Sequence, residues 1–337
     1  MSGGFGERAR AAVRRIVGDG FSGAKASGRG EAPANVALVK YWGKRDEELK
    51  LPVTGSLSIS LGPLGTKTEL ARAPDGTSAD EIWLNGRPVG GGEGFARRLT
   101  SFLDLFRPAD GFRYVVRTAN NVPTAAGLAS SASGFAALVR ALDDFWGWGL
   151  DAERLSVLAR LGSGSAARSL EHGFVEWLRG ASEDGEDSVG RKVAEAWAGL
   201  RIGAVVADAG EKPVGSGEGM CRTAGTSCAY AGWPARVEAD LAAVKEAIAA
   251  QDLAALGAVA EANALAMHGT MWAARPPLVY QLPETLAAMR QVWAARAEGV
   301  GVWLTMDAGP NVKLLFDARD EGAVHEAFGG KLTVVRP

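Results

Sequence analysis

The run Pro123-Thr-Ala-Ala-Gly-Leu-Ala-Ser-Ser-Ala-Ser-Gly134 joins an extended segment to an apolar helical one through small residues. Gly127, Ala129, Ser130 and Ser131 lack the bulk that would hold an anion away from the backbone. A helix opening there presents unpaired N–H groups and the positive end of its dipole. The hydroxyls of Ser130 and Ser131 add donors and, at Ser131, a possible ligand for a phosphate-bound Mg²⁺. Taken alone, the run serves either a phosphate or tight helix packing with no ligand.

Three more segments share its character of small residues beside isolated charges. They are Ala32-Pro-Ala-Asn-Val-Ala-Leu-Val-Lys-Tyr-Trp-Gly-Lys-Arg-Asp46, Gly162-Ser-Gly-Ser-Ala-Ala-Arg-Ser169 and Met306-Asp-Ala-Gly-Pro-Asn311. With Asn120-Asn-Val-Pro-Thr-Ala-Ala-Gly-Leu-Ala-Ser-Ser131, and in this order, they resemble the GHMP kinase superfamily, in its mevalonate diphosphate decarboxylase branch. The likeness runs from about Glu31 to near the C-terminus.

The resemblance implies an α+β, GHMP-kinase-like fold of two lobes with the active site in the cleft between them. It implies ATP and Mg²⁺ as cofactors and a phosphorylated mevalonate as substrate. The reaction is phosphorylation of a tertiary 3-hydroxyl, then expulsion of phosphate and CO₂ to leave isopentenyl diphosphate. The nucleotide's phosphates are expected against Pro123, Ala125, Ala126, Gly127, Leu128, Ala129, Ser130 and Ser131. The substrate is expected against Asn35, Tyr41, Lys44, Ser163, Gly164, Ser165, Arg168 and Met220. Ser163 and Ser165 take its phosphate end, Arg168 its carboxylate, and Asn35 orients Arg168. Decarboxylation of mevalonate 5-phosphate, a kinase that stops after phosphorylation, and a noncatalytic ligand sensor remain as alternatives.

Three residues carry the expected catalysis. Asp307 lies in a turn between apolar segments, where it can face the reacting hydroxyl or simply cap the turn. Lys40, in a predicted strand with apolar alternate positions, can bring an ammonium to the phosphoryl group or to Asp307, or pair with an acid in solvent. Arg168 offers a planar fork that matches a carboxylate, in a substrate or in a structural ion pair.

Three local departures from relatives bear on the substrate. Leu51-Pro-Val-Thr-Gly-Ser-Leu-Ser58 replaces a more polar run, and Val214-Gly-Ser-Gly217 replaces a Val-Ser-Ser-Thr segment. An arginine that relatives place after the Trp83-Leu-Asn-Gly86 turn falls on Phe95, with Arg97 and Arg98 close by. His268, Trp42, Cys221 and Cys228 read as packing or ordinary residues.

Composition agrees with an enzyme of ordinary globular balance, 47% hydrophobic and 23% charged. A net charge of −2 argues against general nucleic-acid binding. Two cysteines cannot build a disulfide framework, and three histidines lack metal-ligand spacing. A cytoplasmic location is expected, with no membrane partner and, by resemblance, a homodimer. The expected organisation is an N-terminal extension over 1–30, frayed or docked on the surface, then lobes over 31–185 and 186–337. Strands are predicted over Val36–Trp42, Ser56–Leu61, Thr66–Ala71, Glu81–Leu84, Arg113–Thr118, Val302–Thr305 and Val312–Phe316, with a hairpin turn at Asn85-Gly86. Helices are predicted over Phe95–Phe106, Leu128–Trp146, Ala152–Leu161, Val237–Ala250, Leu253–His268 and Pro283–Ala297.

Overall fold

The computed structural model describes residues 5–109, 111–122, 130–208, 210 and 214–337, leaving out the side chains of Ser130 and Lys331. Pro123, Ala125, Ala126, Gly127, Leu128 and Ala129 therefore lie outside the described residues.

Two long strands organise the first half. β1 (Ser27–Val39) runs antiparallel to β4 (Ser56–Arg72) along its length. The register shifts between Pro33 and Asn35, where proline has no N–H to donate. The two strands expected over 56–71 are one, with Gly62 at φ +54, in the left-handed region that favours glycine, where an added Cβ would come within 2.4 Å of the Arg336 carbonyl. The other edge of β4 is divided. Ser56–Ile59 pairs with β8 (Phe174–Trp177), and Thr66–Arg72 with β7 (Tyr114–Asn120). β5 (Glu81–Leu84) lies parallel to β7 and turns back through Asn85 (φ 50) and Gly86 (φ 77) into β6 (Arg87–Pro88). β9 (Gly190–Ala194) pairs with β8, so the first sheet runs past the junction expected at 185/186.

The first helix, α1 (Glu7–Val17), buries Ala9, Ala12 and Val13 against the core of this half, so it is docked. The stretch after it, rich in glycine, serine and alanine, leads into β1. Gly28 already belongs to β1, and a Cβ there would come within 2.2 Å of the Ala141 carbonyl of α3 (Ser130–Trp146). The glycine lets helix and strand touch. α2 (Gly94–Leu103) and α4 (Ala152–Gly162) pack on the same core through Leu99, Phe102, Leu155 and Leu158.

The second sheet is antiparallel, in the order β11 (Val302–Met306), β12 (Val312–Asp317), β10 (Leu200–Val205), β13 (Leu332–Val335). β8, β9, β10 and β13 were not anticipated. Leu200–Val205 is almost wholly buried, and such a strand loses the polar alternation that marks a half-exposed one. The helices expected after residue 230 form as α6 (Trp233–Ala250), α7 (Leu253–Trp272) and α8 (Pro283–Ala297), following α5 (Ser216–Thr226).

One core ties the halves together. Val36, Leu38, Leu57 and Ile59 of the first sheet share a buried cluster with Val237, Leu241 and Leu256 of α6 and α7 and with Ile202 and Leu315 of the second sheet. At Gly257 of α7, an added Cβ would sit 2.3 Å from the Trp303 ring, so only glycine lets α7 lie this close to β11. That packing carries the end of β11 to the end of β1, where the site lies.

Candidate active site

Apolar β11 and β12 are connected by a turn that holds Asp307 at the edge of a cavity of about 500 Å³. The turn is fixed without the carboxylate. Asn311 accepts from the backbone of Ala207 and Asp208 at 2.8 and 3.0 Å, and Thr285 Oγ1 donates to the Pro310 carbonyl at 2.6 Å. Gln281 Nε2 donates to His268 Nδ1 at 2.6 Å, which leaves the proton on Nε2 to bond the Asp307 carbonyl at 3.1 Å. Burial and the charge of Lys40 lower His268 to about 4, so it is a neutral clamp and not a base.

The Asp307 carboxylate is thus left for two ammonium groups. Lys40 Nζ lies 2.9 Å from Oδ1 and Lys313 Nζ 3.4 Å from Oδ2. Burial opposes ionisation, but the two lysines outweigh it and hold Asp307 well below the usual carboxylate range. Desolvation lowers Lys40 to about 8 despite Asp307, with Lys313 and Arg168 pushing the same way. Lys313, which the sequence reading passed over, is 1% exposed. A lysine inside an apolar strand was the signal, since such residues are almost never buried unpaired.

Lys40 is not within the strand, as expected, but directly beyond its last residue, Val39. There the sheet no longer supplies a partner for its N–H. Asn263 of α7 does so at 2.8 Å, and Asp240 of α6, accepting from Asn263 Nδ2 at 2.8 Å, sets the orientation of that amide. Lys40 Nζ also donates to the Ala37 carbonyl at 2.7 Å, so the ammonium is held from both sides.

Arg168 lines the same cavity at the end of the short turn after α4. It is 3% exposed, and no carboxylate lies within ion-pair distance among the described residues. Nη1 donates to Ser56 Oγ at 2.5 Å, while Nε is buried without a partner. Desolvation lowers Arg168 to about 10. Asn35 does not bond it. Its amide donates instead to Ser169 Oγ, at 2.8 Å, because Asn35 faces the residue after the arginine. Ser163 and Ser165 share a hydrogen bond at 3.2 Å, and a Cβ on Gly164 between them would meet the Tyr41 and Trp177 rings at 2.9 and 3.0 Å. Tyr41 thereby brings an unpartnered buried hydroxyl to the cavity wall.

The remaining cations of the cavity are Lys44, Lys50 and Arg98. Lys44 pairs with Glu47 at 2.6 Å. Of the arginines near Phe95, Arg98 faces the cavity, whereas Arg97 lines a different hollow. Ser131, Met220 and the Gly215–Gly217 backbone complete the wall. Ser131 and Arg98 also line an adjoining cavity of about 360 Å³ with Phe95, Leu99, Phe135, Asn85 and Thr118. Trp42 packs in the core as expected. Cys221 and Cys228 are exposed free thiols, not packing residues, and Cys221 donates to Glu47.

Residues 32–190 match the family model for the diphosphomevalonate decarboxylase-like N-terminal domain, and residues 203–333 that for the mevalonate 5-diphosphate decarboxylase C-terminal domain. A diphosphomevalonate decarboxylase of Aspergillus fumigatus is 39% identical over 312 residues, covering 87% of this chain and 77% of that one. The Homo sapiens diphosphomevalonate decarboxylase is 37% identical over 304 residues, covering 83% and 74%. The Enterococcus faecalis mevalonate diphosphate decarboxylase, in a structure described as showing a mevalonate diphosphate-mediated ATP binding mechanism, superposes with a TM-score of 0.83 at 40% identity, over 92% of this chain and 96% of that one. A complex of MDDEF with MVAPP, AMPPCP and magnesium gives a TM-score of 0.83 at 42% identity over the same shares. With both halves matched by the family models and 92% of the chain superposed, this chain belongs to the diphosphomevalonate decarboxylase family and has its two-lobed, GHMP-kinase-like fold.

Proposed function

We propose that this protein catalyses the ATP-dependent decarboxylation of mevalonate 5-diphosphate to isopentenyl diphosphate, releasing ADP, phosphate and CO₂. The observation that carries the reading is the single cavity lined by Lys40 and Asp307, by Arg168, which has no ion-pair partner among the described residues, and by Lys44, Lys50 and Arg98.

In the first step the substrate's 3-hydroxyl oxygen bonds to the γ-phosphorus as the bond to ADP breaks, and the hydroxyl proton, made acidic by the new P–O bond, passes to Asp307 and on to solvent. In the second the C3–O bond breaks to release phosphate, and the electron pair of the C–CO₂⁻ bond becomes the alkene π bond. Asp307 orients the hydroxyl and accepts its hydrogen bond. Held this acidic, it is a weak base, which suits a loose phosphoryl-transfer transition state that asks for positioning more than proton removal. Its negative charge then faces the positive character that develops at C3 as phosphate leaves. Lys40 brings its ammonium to the oxygens of the transferring group and, while bonded to Asp307, keeps that carboxylate ionised. Arg168 binds the substrate carboxylate through Nε and the free side of its fork. Its buried setting adds no water to stabilise the carboxylate against loss of CO₂. Tyr41, Lys44, Ser163 and Ser165 take the phosphate end.

The residues present fit a nucleotide. Ser131 stands at the first turn of α3, between the substrate cavity and the adjoining one, whose mixture of Phe95, Leu99 and Phe135 with Asn85 and Thr118 suits a nucleobase. Mg²⁺, when bound with ATP, neutralises phosphate charge. Among the described residues no group of three or more His, Cys, Asp or Glu could hold a metal, so Ser131 and the nucleotide phosphates are its proposed ligands. Among the same residues no helix is long and apolar enough to cross a membrane. The proposal extends to a cytoplasmic homodimer, supported by the family's likeness, and sedimentation in solution tests that state.

The test is incubation with ATP, Mg²⁺ and either mevalonate 5-diphosphate or mevalonate 5-phosphate, following ADP, phosphate and CO₂ separately. Equal amounts of all three from the diphosphate support the reading. ADP without CO₂ means a kinase, preference for the monophosphate means the other decarboxylase, and ligand binding without any product means a sensor.

A further inference from the structure

β2 (Lys44–Asp46) and β3 (Leu51–Pro52) form a hairpin, and Lys50 closes its turn with φ +51. That left-handed conformation favours glycine or asparagine, because an ordinary side chain crowds its own backbone there. A lysine occupies it nonetheless, and its half-buried side chain lines the active-site cavity.

Local structure gives this ammonium no ionic partner. Among the described residues no carboxylate lies within ion-pair distance of Lys50 Nζ, and its near contact is the Phe5 ring at 5.1 Å. Glu47, the acidic group whose charge reaches it, is already bonded to Lys44 at 2.6 Å and to the Cys221 thiol at 3.1 Å. Burial, reinforced by Lys44 and Arg98, lowers Lys50 to about 8. A strained backbone and three gathered cations both oppose folding of the free chain, and such costs cluster where a ligand relieves them.

The charges lining the cavity come from two sets of elements. Lys40, Asp307 and Arg168 line it from the end of β1, the turn after β11 and the turn after α4, whereas Lys44 and Lys50 line it from the β2–β3 hairpin and Arg98 from α2. With Asp307 facing the reacting hydroxyl and Arg168 the carboxylate, as proposed above, the hairpin cations are left for the phosphate end. A monophosphate is met first by Ser163, Ser165 and Lys44, while a second phosphate extends one unit further from the reacting carbon.

We propose that Lys50 is a specificity-determining residue that binds the terminal phosphate of the substrate and sets the preference for a diphosphate over a monophosphate. This rests on the cavity being the substrate site described above. Lys50→Asn removes the charge and suits the left-handed backbone; Lys50→Arg keeps the charge.

Steady-state kinetics with both mevalonate phosphates, thermal melts without ligand and calorimetric titration with inorganic pyrophosphate test it together. In Lys50→Asn, KM for the diphosphate rises about 30-fold, as loss of a charge-assisted hydrogen bond requires, while kcat and the KM for the monophosphate stay within about threefold. Pyrophosphate binding weakens in parallel, Lys50→Arg restores affinity, and the ligand-free Asn variant melts no lower than wild type. A structural lysine would lower the melting point instead. The proposal is overturned if KM rises equally for both substrates, if diphosphate KM and pyrophosphate affinity are unchanged, or if the Asn variant loses stability. Failure of the wild type to decarboxylate the diphosphate would sink the functional reading, while the pyrophosphate arm would still decide Lys50.

Discussion

Replacing Asp307 by asparagine separates its chemistry from its part in the fold. The contact to Lys40, at 2.9 Å from a 2% exposed ammonium, is a charge-assisted hydrogen bond of about 2 kcal/mol. The Lys313 contact is longer, 3.4 Å, and Asp307 is 36% exposed, so solvent screening leaves at most about 1 kcal/mol there. Asp307→Asn should therefore destabilise the protein by about 3 kcal/mol, a fall in melting temperature of about 5 °C for a chain of this size. The pH dependence has a definite sign. Asp307 is held below the ordinary range, so as pH falls the unfolded chain binds the proton first. Its stabilisation is complete above about pH 4, and the gap between wild type and variant closes as the solution is acidified further. Activity should respond far more strongly than stability. Loss of hydroxyl orientation and of charge opposite C3 should reduce kcat by at least about 10³-fold, measured as ADP and CO₂ released. Stabilisation by nucleotide should persist, at about 2.7 kcal/mol for ligand at 100 times its Kd. A variant that melts as expected yet turns over within about tenfold of wild type would refute the role assigned to Asp307.

Arg168→Lys keeps the charge but loses the two-pronged grip, and kcat/KM for the phosphorylated substrate should fall roughly 100-fold; a loss under about tenfold would mean that the fork is not used. Gly164→Ala drives a Cβ to 2.9 Å from Tyr41 and 3.0 Å from Trp177, which should cost about 1–3 kcal/mol, and an unchanged urea midpoint would count against that packing. Lys40 and Lys50 are each lowered to about 8 in the free protein, so kcat/KM should decline above about pH 8 as either loses its proton. A profile flat to about pH 10, where an ordinary lysine titrates, would contradict both assignments.

Much of the site was legible because the chemistry demanded unusual residues in unusual places. Asp307 between apolar strands, Arg168 after a run of small residues and Lys40 near the end of an apolar strand stand out in one dimension, and all three line one cavity. Partner choice was not legible. Asn35 bonds Ser169 and not Arg168, because which of two successive side chains faces it depends on the turn after α4. Arg98 rather than Arg97 reaches the cavity because one step along a helix rotates a side chain by about 100°. Lys313 was overlooked since its partner lies across a turn whose shape is set by Asn311 and Thr285. β8 and β10 escaped notice because burial on both faces removes the alternation by which a strand is recognised.

The amino-acid sequence by itself determined the local devices: the small-residue run before α3, the Asn85-Gly86 turn, the apolar strands flanking Asp307 and the glycines at 28 and 257 that permit close packing. These follow from sterics and hydrophobic pattern, which act over a few residues. Tertiary structure alone decided the electrostatics. Lys40 and Asp307 stand 267 positions apart in the chain, and they meet only because a shared core lays the second sheet and α7 against β1. Charge interactions depend on distance and burial in space, so the acidity of Asp307 and the isolation of Lys50 exist only once the chain has packed.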